Sequence, residues 1–185
     1  LRSRYLKNRE SVLSLVMESD WVAAVSNLFR VYSRKYLRLY KNTIPVLQEL
    51  KAQGKRIYLL SNAQRIFTMP EIEGLGLDAY FDRMYISSDY EMMKPEKRFM
   101  ERLLAEEELK PEETVMVGNE MRSDIAVAIR CGVCSIYLNT SSYTQKELKR
   151  QLKELLEKES VGDESAPDII MSGDIGEILN GCKKR

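Results

Sequence analysis

The chain has 185 residues, 44% of them hydrophobic, with 29 Lys plus Arg against 28 Asp plus Glu and not one histidine. That length suits a single domain of ordinary size with a real core, and so even a charge balance makes no case for a nucleic-acid or membrane partner. Lack of histidine removes Ser-His-Asp triads, Cys-His pairs and His-ligated zinc, leaving carboxylates, lysines, hydroxyls, thiols or an oxygen-bound metal to do any chemistry.

The first residue is Leu1 rather than methionine, which reads as a chain cut from something longer. No signal peptide is expected from Leu1-Arg2-Ser3-Arg4, and no apolar run approaches the ~20 residues of a membrane span. Residues 11–17 read as a short helix capped by Ser11. Over residues 21–40, Val22, Val25, Phe29, Tyr32, Tyr36 and Tyr40 recur at helical spacing. Arg30, Arg34, Lys35 and Arg38 fall mostly between them and give a basic, solvated face.

From there the pattern alternates. Thr43 is expected to cap a helix with Pro45 in its first turn and Gly54 at its end. Residues 56–60 form an apolar run typical of a strand buried on both faces. Thr68 through Glu71 reads as a capping box opening the next helix. A strand over 84–87, a helix opened by Pro95 and a strand over 114–117 follow. A helix through Ile125 and Ala128 then leads to a strand over 134–138. A charged helix over about 144–158, a loop over 161–167, a strand over 168–171 and a last helix complete the order. Strands alternating with helices imply a Rossmann-like parallel α/β sheet with flanking helices. Cys131, Cys134 and Cys182 lack disulfide or metal spacing and read as buried free thiols, which suits a reducing cytoplasm.

Ligands of such sheets sit beyond the carboxyl ends of the strands. The first strand is followed there by Ser61-Asn62. After the second come Ser87, Ser88 and Asp89, with Lys94 downstream, and after the third Gly118-Asn119-Glu120-Met121-Arg122-Ser123-Asp124. Lysine offers a point charge to phosphate, serine a neutral donor, and a carboxylate holds Mg²⁺ through oxygen. This is the inventory of phosphoryl transfer, which works by positioning and charge stabilisation.

Leu59-Leu60-Ser61-Asn62-Ala63, Met93-Lys94-Pro95 and Val117-Gly118-Asn119 through Asp124-Ile125 resemble, in order, the second, third and fourth motifs of the haloacid dehalogenase superfamily. The resemblance covers about residues 43–171. It implies a Mg²⁺-dependent phosphatase acting on a small phosphorylated metabolite. Ser61 and the backbone around Asn62 would bind the transferred phosphoryl group, and Lys94 would neutralise it. Asn119 and Asp124 would serve the metal, with Glu120 and Ser123 as further candidates. It also implies a division into a cap-like helical segment, 1–41, and an α/β core, 42–185.

The chain departs from the family pattern twice. Asn119 stands where the family most often has aspartate, and no Asp-x-Asp segment supplies the nucleophile. Glu18-Ser19-Asp20 is the nearest local match, but its surroundings have helical spacing. In the family the nucleophile strand runs between those of the second and fourth motifs. Without it a gap of ~10 Å would separate two strand edges, twice the usual spacing. An upstream segment or separate peptide is therefore expected to complete the sheet. A non-catalytic binding or regulatory module on this fold is the alternative reading. A phosphate-accepting receiver domain fits the spacing of Gly118 to Asp124 poorly, and Lys94 leans away from dehalogenation towards phosphate.

Overall fold

The computed structural model describes residues 37–181 together with Val25 and Leu28. The expected helix over 11–17, most of that over 21–40, the Glu18–Asp20 match and Cys182 lie outside the described residues. So does nearly all of the cap-like segment.

Within the described chain, helix α1 (Thr43–Ala52) precedes strand β1 (Tyr58–Ser61), helix α2 (Arg65–Gly74) and strand β2 (Arg83–Ile86). Short helix α3 (Ser87–Tyr90), helix α4 (Lys97–Glu106) and strand β3 (Val115–Gly118) follow. A π-type turn (Met121–Ile125) runs into helix α5 (Ala126–Arg130). Strand β4 (Cys134–Leu138), helix α6 (Gln145–Glu159), strand β5 (Asp168–Ile170) and helix α7 (Ile178–Gly181) close the order.

Every strand pairing is parallel. The strands nevertheless fall into two sheets, β1-β2 and β3-β4-β5. Among the described residues β1 is paired only with β2, and β3 only with β4. The strand break thus falls between the second and fourth motif strands. Packing holds the halves together instead. Leu60 of β1, Tyr85 of β2 and Phe99, Met100, Leu103 and Leu104 of α4 share one core with Val127 and Ala128 of α5. Full burial of such a side chain contributes about 1.5–3 kcal/mol. A second core packs α6 on Tyr137 and Ile125, and a third packs Val46 on Ile136, Leu138 and Ile178.

The helix starts depart most from expectation. Thr43 is the first helical residue and Asn42 the cap, in the left-handed region at φ 66°, with its side chain bonded to Asp174 at 2.8 and 3.0 Å. The Thr68–Glu71 capping box does not form. Helix α2 has already begun at Arg65, whose N–H is taken by the Ser88 hydroxyl at 2.9 Å, so the end is capped from the neighbouring strand's turn. Pro95 lies in the turn before α4 rather than at its first position. Cys131 and Cys134 are free but half-buried rather than buried, and partial burial pushes the Cys131 thiol up to about 11.

Candidate functional site

At the carboxyl end of β1 the loop is laced to the turn after β2. Ala63 donates its N–H to the Ser87 hydroxyl at 2.9 Å and accepts that hydroxyl's proton on its own carbonyl, also at 2.9 Å. The half-buried Ser61 hydroxyl makes no hydrogen bond among the described residues. Asn62 turns its amide towards the Lys94 peptide. It accepts from Lys94 N–H at 2.7 Å and donates to the Lys94 carbonyl at 2.9 Å.

That grip sets the course of the Lys94 side chain, which is 9% exposed. Its ammonium donates to the Leu60 carbonyl of β1 at 2.6 Å and to Asp124 Oδ1 at 2.7 Å. A lysine ammonium has three donors, so one N–H is without a partner among the described residues. A single side chain therefore joins the last turn of β1 to the loop after β3, across the break between the sheets.

Asp124 is equally engaged. Its Oδ2 accepts the N–H groups of Asn119 and Glu120, each at 3.0 Å, and folds the loop after β3 around the carboxylate. Gly118 makes room for this, because a Cβ there would overlap the Asp124 carboxyl group. The π-type turn begins three residues later and brings Asp124 back over Gly118; such turns recur at functional sites. The Ser123 hydroxyl lies 3.5 Å from Asp124 Oδ1, at the limit of a hydrogen bond. Asn119 and Glu120 face solvent. Asn119 donates from Nδ2 to the Thr140 hydroxyl at 2.8 Å, which leaves its Oδ1 without a described partner. One carboxylate oxygen of Glu120 accepts the Arg122 N–H at 3.2 Å as a helix cap.

Lys94, Asp124 and Asn62 thus converge directly, and Asn119 and Glu120 join them through main-chain bonds to Asp124. Ser61 stands at the same strand end, with no side-chain hydrogen bond to them. Two partners were not expected from the sequence: the Leu60 carbonyl and Thr140. Thr140 follows β4, so the rule of looking just past each strand would have reached it had it been carried one strand further.

The donors here are oxygens, as Mg²⁺ requires, but they are few. Among the described residues no group of three or more acidic, cysteine or histidine side chains gathers to hold a metal. Asp124 keeps part of the lone-pair capacity of Oδ1, and Asn119 Oδ1 and one Glu120 oxygen have no partner among the described residues. That fits an ion which keeps several waters and takes one or two carboxylates together with a substrate phosphate.

Parallel strands with a serine at the end of β1, and beside them a buried lysine and a carboxylate loop, give an α/β fold whose polar groups meet beyond the carboxyl ends of its strands. Residues 5–138 match the haloacid dehalogenase-like hydrolase family, and the chain belongs to it. It is 35% identical over 111 residues to a glyceraldehyde 3-phosphate phosphatase of Methanothermobacter thermautotrophicus, covering 60% of this chain and 49% of that protein. It is 28% identical over 163 residues to the glyceraldehyde 3-phosphate phosphatase of Pyrococcus furiosus, covering 82% of this chain and 68% of the relative. The chain therefore spans about half the length of the first relative and two thirds of the second. In fold it is similar to a putative HAD-hydrolase of Bacillus subtilis solved with bound magnesium, at a TM-score of 0.66 and 17% identity, over 100% of this chain and 74% of the other. No helix among the described residues is long and apolar enough to cross a membrane.

Proposed function

We propose that this chain forms the greater part of a Mg²⁺-dependent phosphomonoester hydrolase acting on a small phosphorylated metabolite. The observation that carries the reading is the buried Lys94 ammonium, fixed by Leu60 and Asp124, with its third donor unpartnered among the described residues. A transferring phosphoryl group gathers negative charge on its oxygens, and a preplaced cation in a partly dry site meets that charge without reorganisation. Ser61, whose hydroxyl has no hydrogen-bond partner among the described residues, would donate to a second phosphoryl oxygen. Asp124 holds Lys94 in place through the 2.7 Å contact, and would share the metal with Asn119 and Glu120. Bound there, Mg²⁺ would supply positive charge to the phosphate oxygens.

The nucleophile belongs to a segment outside the described residues. An extended stretch between β1 and β3, from the same polypeptide or a separate peptide, would pair with both open edges and bring a carboxylate beside Lys94. Attack by that carboxylate on phosphorus would form an aspartyl-phosphate and release the alcohol, and water would then cleave the phosphoenzyme to inorganic phosphate. The relatives' activity makes glyceraldehyde 3-phosphate the first substrate to try. The free Cys131 and Cys134 suit a reducing, cytoplasmic setting.

Asn119 supports a second reading, a non-catalytic module on the same fold, since an amide brings no charge to a metal. Phosphate release by the native protein, with Mg²⁺ and with chelator, separates the two. Mg²⁺-dependent release that falls at least ~10²-fold in Asp124→Asn supports the enzyme. No release from any phosphomonoester by folded protein supports the module.

A further inference from the structure

Residues 91–96, which carry Lys94, contain neither helix nor strand. Glu91 opens this segment in the left-handed region at φ 52°. Within it only the Glu96 N–H to Met93 carbonyl bond is short, at 2.8 Å; Arg98 reaches the Glu91 carbonyl, and Met93 N–H reaches Glu96, each at 3.3 Å and exposed. Asn62 holds the Lys94 peptide from the β1 side but is itself exposed. A four-carbon side chain magnifies any rotation of the backbone beneath it, so an ammonium placed this closely needs a second hold.

Arg130, the last residue of α5, supplies one. Its Nε and Nη2 donate to the two oxygens of Glu159, the last residue of α6, at 2.8 and 2.7 Å. Nη1 of the same guanidinium donates at 2.7 Å to the carbonyl of Pro95, the residue directly after Lys94 and 35 positions away in sequence. The pair is largely shielded, with side chains 29% and 11% exposed. Two parallel bonds fix the plane of the guanidinium, so the third N–H is aimed rather than free to swing. We propose that Arg130, seated by Glu159, is a positioning residue that holds the Pro95-Glu96 peptide, the one directly after the Lys94-Pro95 bond, and through it the Lys94 ammonium.

A simpler role has a definite chemical alternative. A cation at the end of α5 also complements the helix dipole, and lysine would serve that as well as arginine. Only the planar fork can bind Glu159 and the Pro95 carbonyl together. The value of the clamp for turnover rests on the function proposed above, whereas its hold on Lys94 does not.

The test compares Arg130→Lys, Arg130→Gln and Glu159→Gln with wild type in the full-length protein. Hydrogen exchange is followed by NMR at the Lys94 amide and ammonium, with the Tyr137 amide of central β4 as reference for global opening. Both arginine variants should speed Lys94 exchange about ten-fold or more relative to Tyr137, with Glu159→Gln moving the same way by less. In turnover, kcat should fall in the arginine variants while KM shifts less than about three-fold. An unchanged exchange ratio in Arg130→Gln, or full rescue by Arg130→Lys, overturns the clamp. A changed ratio in a wild-type background that hydrolyses no phosphomonoester leaves the clamp standing and removes the function proposed for the site.

Discussion

At the end of β1 the Lys94 peptide is bonded on both sides and two of the ammonium's three donors are taken. At the end of β3, Asn119 and Glu120 face solvent, and each keeps an oxygen without a described partner. Asp124 belongs to both corners, with one oxygen on Lys94 and the other on the loop amides. A fixed cation is useful only if it is already in place when charge develops, so its corner is dry and tied. A hydrated ion must arrive with its waters, so its corner is open. The corners should therefore respond differently to substitution.

The largest effect should come from breaking the tied corner. Lys94→Met leaves Asp124 buried without its counter-charge and should cost about 3–5 kcal/mol in denaturant unfolding. Adding Asp124→Asn removes the stranded charge and should recover much of that loss. Equal instability of single and double variants would show that the loss is one of packing. Next is Gly118→Ala, whose Cβ would overlap the Asp124 carboxyl group. Overpacking of this kind costs about 1–3 kcal/mol, which in a domain of this size lowers the melting temperature by several degrees. An unchanged melting temperature would mean that the loop after β3 yields freely.

The acid limb of stability sharpens the comparison further. The Arg130 guanidinium holds the Glu159 carboxyl below its ordinary range. A carboxylate whose folded pKa is depressed contributes stability above its unfolded pKa and loses it as pH falls through the folded value. Glu159→Gln should therefore flatten the decline of stability below the ordinary glutamate range and leave neutral-to-alkaline behaviour parallel to wild type. A decline as steep as wild type would assign the acid sensitivity elsewhere. Asp174, held low by Asn42, contributes with the same sign and serves as the comparison. The smallest effect belongs to the open corner. Thr140→Val removes only the partner of an exposed amide and should change stability by no more than ~0.5 kcal/mol. Isothermal titration should show Asn119→Asp binding Mg²⁺ more tightly, since it adds a charge where wild type has a dipole.

Much of this was legible in the sequence because parallel strands announce themselves. β4 was expected over 134–138 and runs Cys134–Leu138, an apolar stretch buried along most of its length. Lys94 and Asp124 were legible as strand-end chemistry, but not as partners, because 30 residues separate them and only the fold closes that distance. The start of α2 was misplaced because its cap comes from Ser88, in the turn after the neighbouring strand, which local spacing does not record. The π-type turn was invisible for a similar reason. Its geometry follows from Asp124 folding back over Gly118, a tertiary contact rather than a propensity. The Arg130 contact with Pro95 had no sequence signal, because 35 positions separate the two residues.

The most direct test uses the double variant Lys94→Met/Asp124→Asn, which removes the site's buried cation without stranding a charge. Turnover of glyceraldehyde 3-phosphate by the native protein and by this variant, at temperatures where both are folded, compares the site with and without its central pair. A loss of at least ~10² in kcat/KM is the expected result. Turnover within a few-fold of wild type would contradict the assignment of phosphoryl binding to Lys94.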